Sequence, residues 1–278
     1  SFPTRRSSDL PNPMKTKYSL VRVRASRRHF IPAILASAFV CSLLAPNAQA
    51  ADRWWDNVGG TANDWGGVNN WSTVVAGGTN PAAIPGAADL AKFSATPIIG
   101  TAQTINLNAD RSVLGLDFLS TVTAATTIQA GGTNRVLTIA GSGIVKAGTG
   151  AATIGSSTAN QNVNVRLSAD QTWTNNNNTG PITVVNTVAA STAAARKLTL
   201  SGTSTAANTI NGVISNNGSA VFSLDKSGAG LWTLANTANT FTGAVNISAG
   251  TLAVPGNNGG AGDPAALGGG TKSINITN

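Results

Sequence analysis

Glutamate does not occur in this 278-residue chain, and histidine and cysteine occur once each, as His29 and Cys41. Both single copies stand in the first fifty residues. The rest of the chain can therefore build neither a Ser-His-Asp or Cys-His nucleophile nor a zinc site of His and Cys ligands. It can form no disulfide, so its stability has to come from apolar burial and backbone pairing. Charge is scarce as well, at 10% of residues. The net +8 is concentrated at the front, because residues 51–278 hold ten Lys and Arg against nine Asp, a net charge of +1. Nucleic acid binding needs clustered Lys and Arg to neutralise phosphates, and residues 51–278 carry no basic stripe. No cofactor is expected on this composition.

The front of the chain reads as a leader. Ser1–Leu10, Ser-Phe-Pro-Thr-Arg-Arg-Ser-Ser-Asp-Leu, looks like translated sequencing-adaptor sequence, so residues 1–13 are set aside and the reading starts at Met14. Lys15, Lys17, Arg22, Arg24, Arg27 and Arg28 form a basic region, Ile31–Leu44 an apolar one, and Ala48-Gln49-Ala50 a small-x-small cleavage site. That order predicts a helical secretory signal peptide over residues 14–50, cleaved before Ala51, and export across a bacterial inner membrane. The apolar run is shorter than the roughly 20 residues a span needs, and Pro32 and Pro46 bracket it. The mature chain is accordingly expected not to span a membrane. Cys41 lacks the preceding small-residue run that lipoprotein processing requires.

After residue 51, helical periodicity is almost absent. Short alternating segments recur instead: Thr104-Ile-Asn-Leu, Leu114-Gly-Leu-Asp-Phe, Val136-Leu-Thr-Ile, Val163-Asn-Val-Arg-Leu, Ile182-Thr-Val-Val, Leu198-Thr-Leu, Phe222-Ser-Leu, Val245-Asn-Ile and Ile274-Asn-Ile. Gly, Asn or Ser bound each of them, as at strand ends. Many short strands fit either an antiparallel sandwich or a parallel solenoid, and internal repetition separates the two. Arg135-Val-Leu-Thr-Ile-Ala-Gly141 recurs as Arg196-Lys-Leu-Thr-Leu-Ser-Gly202 and, loosely, as Leu231-Trp-Thr-Leu-Ala-Asn236. Such self-similarity points to stacked coils that bury their apolar faces against their neighbours. The unequal spacing of Leu137, Leu198 and Trp232 predicts coils interrupted by loops. Inward Leu, Ile and Val would stack in rows, with Gly where the chain turns and Asn at the corners.

Residues 226–252 are the clearest single coil. Three short strands are separated by Gly and Asn corners, and the residues that set the pattern are Lys226, Gly228, Gly230, Leu231, Trp232, Thr233 and Leu234. Asn239, Thr240, Phe241 and Gly243 follow, and Ala249, Gly250, Thr251 and Leu252 close it. This segment resembles the autotransporter-associated β-strand repeat. The resemblance implies an all-β, right-handed single-stranded parallel β-helix (β-solenoid), over residues 95–278 and incomplete at the C-terminus. It implies a secreted or surface-exposed structural, adhesin-like passenger without chemistry of its own, located outside the cell or at the outer membrane. A C-terminal barrel or sorting anchor would lie beyond residue 278. The partner would be a surface polysaccharide or the surface of a host or neighbouring cell.

Trp54, Trp55, Trp65 and Trp71 crowd a Gly-, Asn- and Asp-rich stretch that resembles the opening of large secreted proteins with this repeat. Residues 51–94 are read foremost as a Trp-rich N-terminal cap, which would cover the exposed edge and apolar rows of the first coil. Exposed in a groove, the same four rings would be glycan-stacking platforms. That second reading leads to the alternative function, a carbohydrate-binding or polysaccharide-degrading β-helix protein. Asp110 with Arg111, or Asp170 with Arg166, would then be the reactive groups, although fold alone does not imply function. Lone Asp residues beside turns commonly bond backbone. Gly259-Gly-Ala-Gly-Asp263 is similar to a calcium-binding nonapeptide, but its Asp comes one position early, so a corner is expected. No catalytic, cofactor-binding or metal residue is assigned.

Overall fold

Alternation with period two sends one set of side chains to each side of a strand, and strands this short bury enough apolar surface only when neighbours cover them. The chain meets that requirement by winding. In the computed structural model residues 50–57, 63–75, 83–94, 101–255, 266–270 and 273–277 are described, and they all belong to one unit, Pro46–Asn278. The adaptor-like segment, the signal peptide apart from Ala50, and Gly259–Asp263 lie outside the described residues.

β1 (Asp52–Trp55) pairs antiparallel with β2 (Trp71–Ser72) and parallel with β3 (Leu90–Phe93). The first windings merge two walls into one long strand. β4 (Gln103–Asn106) leads to β5 (Arg111–Phe118), β6 (Thr126–Gln129) to β7 (Arg135–Lys146), and β8 (Ala152–Ile154) follows. Three regular turns of three strands come next. They are β9 (Val163–Leu167), β10 (Gln171–Asn175) and β11 (Ile182–Val184), then β12 (Val188–Ala190), β13 (Arg196–Ser201) and β14 (Asn208–Ile210), then β15 (Ile214–Ser215), β16 (Phe222–Lys226) and β17 (Leu231–Leu234). β18 (Val245–Ile247), β19 (Thr251–Ala253) and β20 (Ile274–Ile276) complete the series.

Strands at the same place in successive turns pair in parallel. β9, β12 and β15 make a first wall, β10, β13, β16, β18 and β20 a second, and β4, β6, β8, β11, β14, β17 and β19 a third. The result is a parallel β-solenoid of about six turns. Among the described residues β1–β2 is the one antiparallel strand pair, and the helical content is a single 3₁₀ turn, Val68–Asn70. The segment read as a cap is continuous with the rungs, since β1 and β3 lie in the same sheet as β5 and β7.

The register explains the alternation. On the third wall Ile105, Ile128, Ile154, Val184, Ile210 and Leu234 stand directly above one another, and all are fully buried. The outward column beside them is Thr104, Thr127, Thr153, Thr183, Thr209 and Thr233. β7 serves two walls: Arg135–Ile139 pairs with β9, and Ile144–Lys146 with β10. It bends at Gly143, whose φ of +61° places it in the left-handed region that Gly tolerates.

One expectation is corrected. The unequal spacing of the three Leu-Thr-Leu-like copies comes from their lying on three different walls, not from loops that interrupt coils. Leu137 pairs with Val165 on the first wall, Leu198 with Gln171 and Leu224 on the second, and Trp232 with Asn208 on the third. An apolar-Thr-apolar segment occurs once or more on every wall, so copies from different walls look alike without being one turn apart.

The register gives a direct stability contrast. Leu234→Ala removes a fully buried side chain and should cost about 2–5 kcal/mol in urea unfolding. Thr233→Ala, on the outward column, should change stability by no more than about 0.5 kcal/mol. Equal costs would mean that the strand presents the other face.

Candidate functional site

The motif of residues 226–252 occupies one winding, and its residues hold that winding against the ones before and after. Lys226 ends β16 at an inward position, in register with Leu200 and Ile247. It is fully buried. Its Nζ donates to the carbonyls of Ser227 at 3.0 Å, Gly228 at 2.7 Å and Ala249, one turn on, at 3.0 Å. Three donors meet three acceptors, so the ammonium closes the corner from inside. Burial pushes its pKa down.

Gly228 adopts φ +70°. A Cβ on Gly230 would stand 2.5 Å from the Ser204 carbonyl oxygen of the previous turn, so the spacing of the turns leaves room for hydrogen only. Trp232 is buried, with Nε1 donating to the Ser201 carbonyl at 3.0 Å and its ring 6.4 Å from that of Trp173. Asn239 joins three windings. Its Oδ1 accepts from Ile214 N–H at 2.8 Å, and its Nδ2 donates to the carbonyls of Asn236 at 2.9 Å and Ala266 at 2.6 Å. Thr240 is exposed, and its backbone N–H donates to Ile214 at 2.9 Å. Phe241 packs edge-on to Phe222 at 6.4 Å, and Gly243 N–H donates to the Phe222 carbonyl at 2.9 Å. Gly250 turns with φ +68°, Thr251 is exposed and Leu252 is half-buried below Trp232.

A second copy of the corner escaped the sequence reading. Lys146-Ala-Gly-Thr-Gly150 repeats the spacing of Lys226-Ser-Gly-Ala-Gly230, and that spacing was the available signal. Lys146 is fully buried between Phe118 and Asn175 on neighbouring strands, and its Nζ donates to the Gly148 carbonyl at 2.5 Å. Desolvation lowers its pKa to about 8. Asn175 shows how a turn manages without Lys: its Nδ2 reaches Gly180 O at 2.9 Å and Asn208 Oδ1 at 2.6 Å.

The alternative site residues serve as braces. Asp110 Oδ1 accepts from Val136 N–H, and Asp170 Oδ1 from Lys197 N–H, both at 2.9 Å, so each carboxylate holds the second amide of a strand one turn ahead. Arg111 donates from Nε to the Leu107 carbonyl at 3.2 Å, with its pKa lowered mainly by burial. Arg166 lies on β9 in register with Thr138 and Ala189. No ion pair joins these Asp and Arg residues among those described. No three His, Cys, Asp or Glu are placed to hold a metal among the described residues.

Of the four N-terminal tryptophans, Trp55, Trp65 and Trp71 are fully buried. Trp71 lies edge-on to Trp55 at 5.2 Å and to Trp65 at 4.8 Å, and its Nε1 donates to the Trp65 carbonyl at 2.8 Å. No ring of these three has a face open to a sugar. Trp54 points outward and is half-buried under Lys92, whose Nζ sits 5.0 Å from the ring centroid and 2.8 Å from Asp52. Of the cleavage residues, Ala50 is exposed, Ala51 is half-buried and Ala48 lies outside the described residues.

A parallel β-solenoid in which a repeated Lys-x-Gly-x-Gly corner joins one turn to the next is a repeat architecture. The family comparison agrees: residues 224–254 match the passenger-associated-transport-repeat family. The chain thus fits an autotransporter passenger-like repeat protein. No curated protein and no solved structure gives a match. No helix among the described residues is long and apolar enough to cross a membrane.

The lysine corner predicts an unusual pH response. The folded pKa of Lys146, about 8, lies below the ordinary lysine value of about 10.4. Between those values the unfolded chain binds more protons, so stability should climb as pH is raised through that window. In Lys146→Met the climb should shrink, as read by urea unfolding at pH 7 and pH 10. The same climb in both proteins would place the titration elsewhere.

Proposed function

We propose that this chain is the extended stem of an exported, surface-exposed passenger: a right-handed β-helix that carries an adhesin-like outer surface and performs no chemistry of its own. The observation that supports it best is the match over residues 224–254, which falls on a winding where the motif's Lys, Gly, Asn and Phe residues all serve turn-on-turn contact. Right-handedness follows the general rule for parallel crossover connections, which take that hand in about 98% of cases. The signal peptide over residues 14–50 delivers the chain across the inner membrane, with cleavage before Ala51. The buried Trp55, Trp65 and Trp71 act as the cap that closes the first rung against water.

The lateral surface is what the stem offers to partners. Its outward columns are polar and regular: Lys197 Nζ lies 3.3 Å from Asp225, Asn246 donates to Asp225 at 2.6 Å, and Asn275 donates to Asn246 at 2.7 Å. Such ladders match a repeating partner such as a surface polysaccharide or a neighbouring cell surface. The carbohydrate-binding alternative keeps one supporting observation, the half-open Trp54 beside Lys92 and Asp52.

Surface exposure is directly testable. Intact cells expressing the full-length protein should lose an epitope placed on the solenoid when treated with external protease, while a periplasmic marker survives. Protection of the epitope until the outer membrane is opened would contradict the proposal.

A further inference from the structure

The backbone around Ala51 is held from both sides before β1 begins. Its N–H donates to Asp89 Oδ1 at 3.3 Å, and its carbonyl accepts from Leu90 N–H at 2.9 Å. The first parallel register pair, Asp52 with Leu90, comes one residue later. The other Asp89 oxygen accepts from Gly86 N–H at 2.9 Å and lies 3.9 Å from Arg53 Nε. The nearest other charges on these strands, Lys92 and Asp52, are paired with each other at 2.8 Å. One carboxylate oxygen of Asp89 therefore accepts from the Ala51 nitrogen, while the contacts with Gly86 and Arg53 go to the other.

That nitrogen is the atom that processing changes. Hydrolysis of the Ala50–Ala51 peptide bond adds water across it, leaving a carboxylate on Ala50 and an amine on Ala51. An α-amino group has a pKa of about 7.7–8.0 and is protonated at neutral pH. A neutral amide with one donor is replaced, at the same point in space, by a cation with three. A hydrogen bond from a cation to a carboxylate is roughly twice as strong as a neutral one.

We infer that Asp89 is the receptor for the α-ammonium group released by cleavage before Ala51, so that the first rung is held more firmly in the processed chain than in the precursor. This rests on the export reading above. Its consequence is directional: the uncleaved precursor has a weaker first rung than the exported protein, which favours folding after processing. Asp89 thereby marks the boundary between leader and scaffold with chemistry that the precursor cannot supply.

The test uses the exported protein. N-terminal sequencing first establishes the start, and urea unfolding is then measured for the native protein and Asp89→Asn at pH 6 and pH 9.5. Asn can still accept from Gly86, and the Arg53 charge does not change over this range. A pair raised in pKa by its partner stabilises below the unfolded pKa and is lost as pH rises through the folded one. Asp89→Asn should therefore raise the unfolding constant about fivefold at pH 6, with the gap closing by pH 9.5. The Lys146 titration is common to both proteins and cancels. A start at Ala51 with a gap that is the same at both pH values overturns the lock and leaves the export reading intact. A start at another residue overturns the lock, and an intact N-terminus or a start far from Ala51 overturns the export reading as well.

Discussion

Every turn of this molecule takes its backbone hydrogen bonds from the turns before and after it, and this constraint dictates nearly everything else. Parallel neighbours at about 4.7–4.9 Å leave no room for a side chain at a corner where one turn crosses flat upon the next. Gly230 above the Ser204 carbonyl is the clearest instance. The same spacing puts identical positions of successive turns in one column, so a single misplaced polar residue inside would meet its neighbours along the whole wall. Inward columns are accordingly apolar from Ile105 to Leu234.

Four of the exceptions inside the solenoid share one role: a buried polar group donates to carbonyls at a corner. Lys146 and Lys226 do this with an ammonium, Asn175 and Asn239 with an amide. The lysines are costly because burial disfavours their charge, which is why their pKa values fall. The asparagines serve the same need without charge and reach further, with Asn239 touching windings on both sides. Exposed Asp110 and Asp170 complete the scheme by holding the second amide of a strand one turn ahead. A chain without disulfides thus joins its turns through the backbone ladders, short polar contacts at corners and apolar columns between them.

Much of this was legible in the sequence. Period-two segments bounded by Gly and Asn located the strands, and the residues from Lys226 to Leu252 gave the winding that the family match then covered. Two things were not legible. The unequal spacing of Leu137, Leu198 and Trp232 read as loops interrupting coils, because an apolar-Thr-apolar segment occurs on each of the three walls; only the pairing register separates them. The fate of the tryptophans was also open, since a Gly- and Asn-rich context suits either a groove or a packed end. Burial of Trp55, Trp65 and Trp71 and exposure of one side of Trp54 depend on how β1, β2 and β3 come together, over almost forty residues of chain. For Asp110 and Asp170 a backbone bond was the expectation, and only the partners, Val136 and Lys197 one turn away, were hidden.

The central claim is that residues about one winding apart stand on adjacent rungs in parallel register. Thr153 and Thr183 are such a pair on the third wall, and Thr209 stands one rung further on. With Cys41 replaced by Ser, Thr153→Cys with Thr183→Cys should form a disulfide on mild oxidation, because adjacent rungs fall within the roughly 4.4–6.8 Å that a disulfide spans. Thr153→Cys with Thr209→Cys, about 9–10 Å apart across two rungs, should stay reduced within the monomer. Equal oxidation of the two pairs, or none in the first, would contradict the register on which the whole account rests.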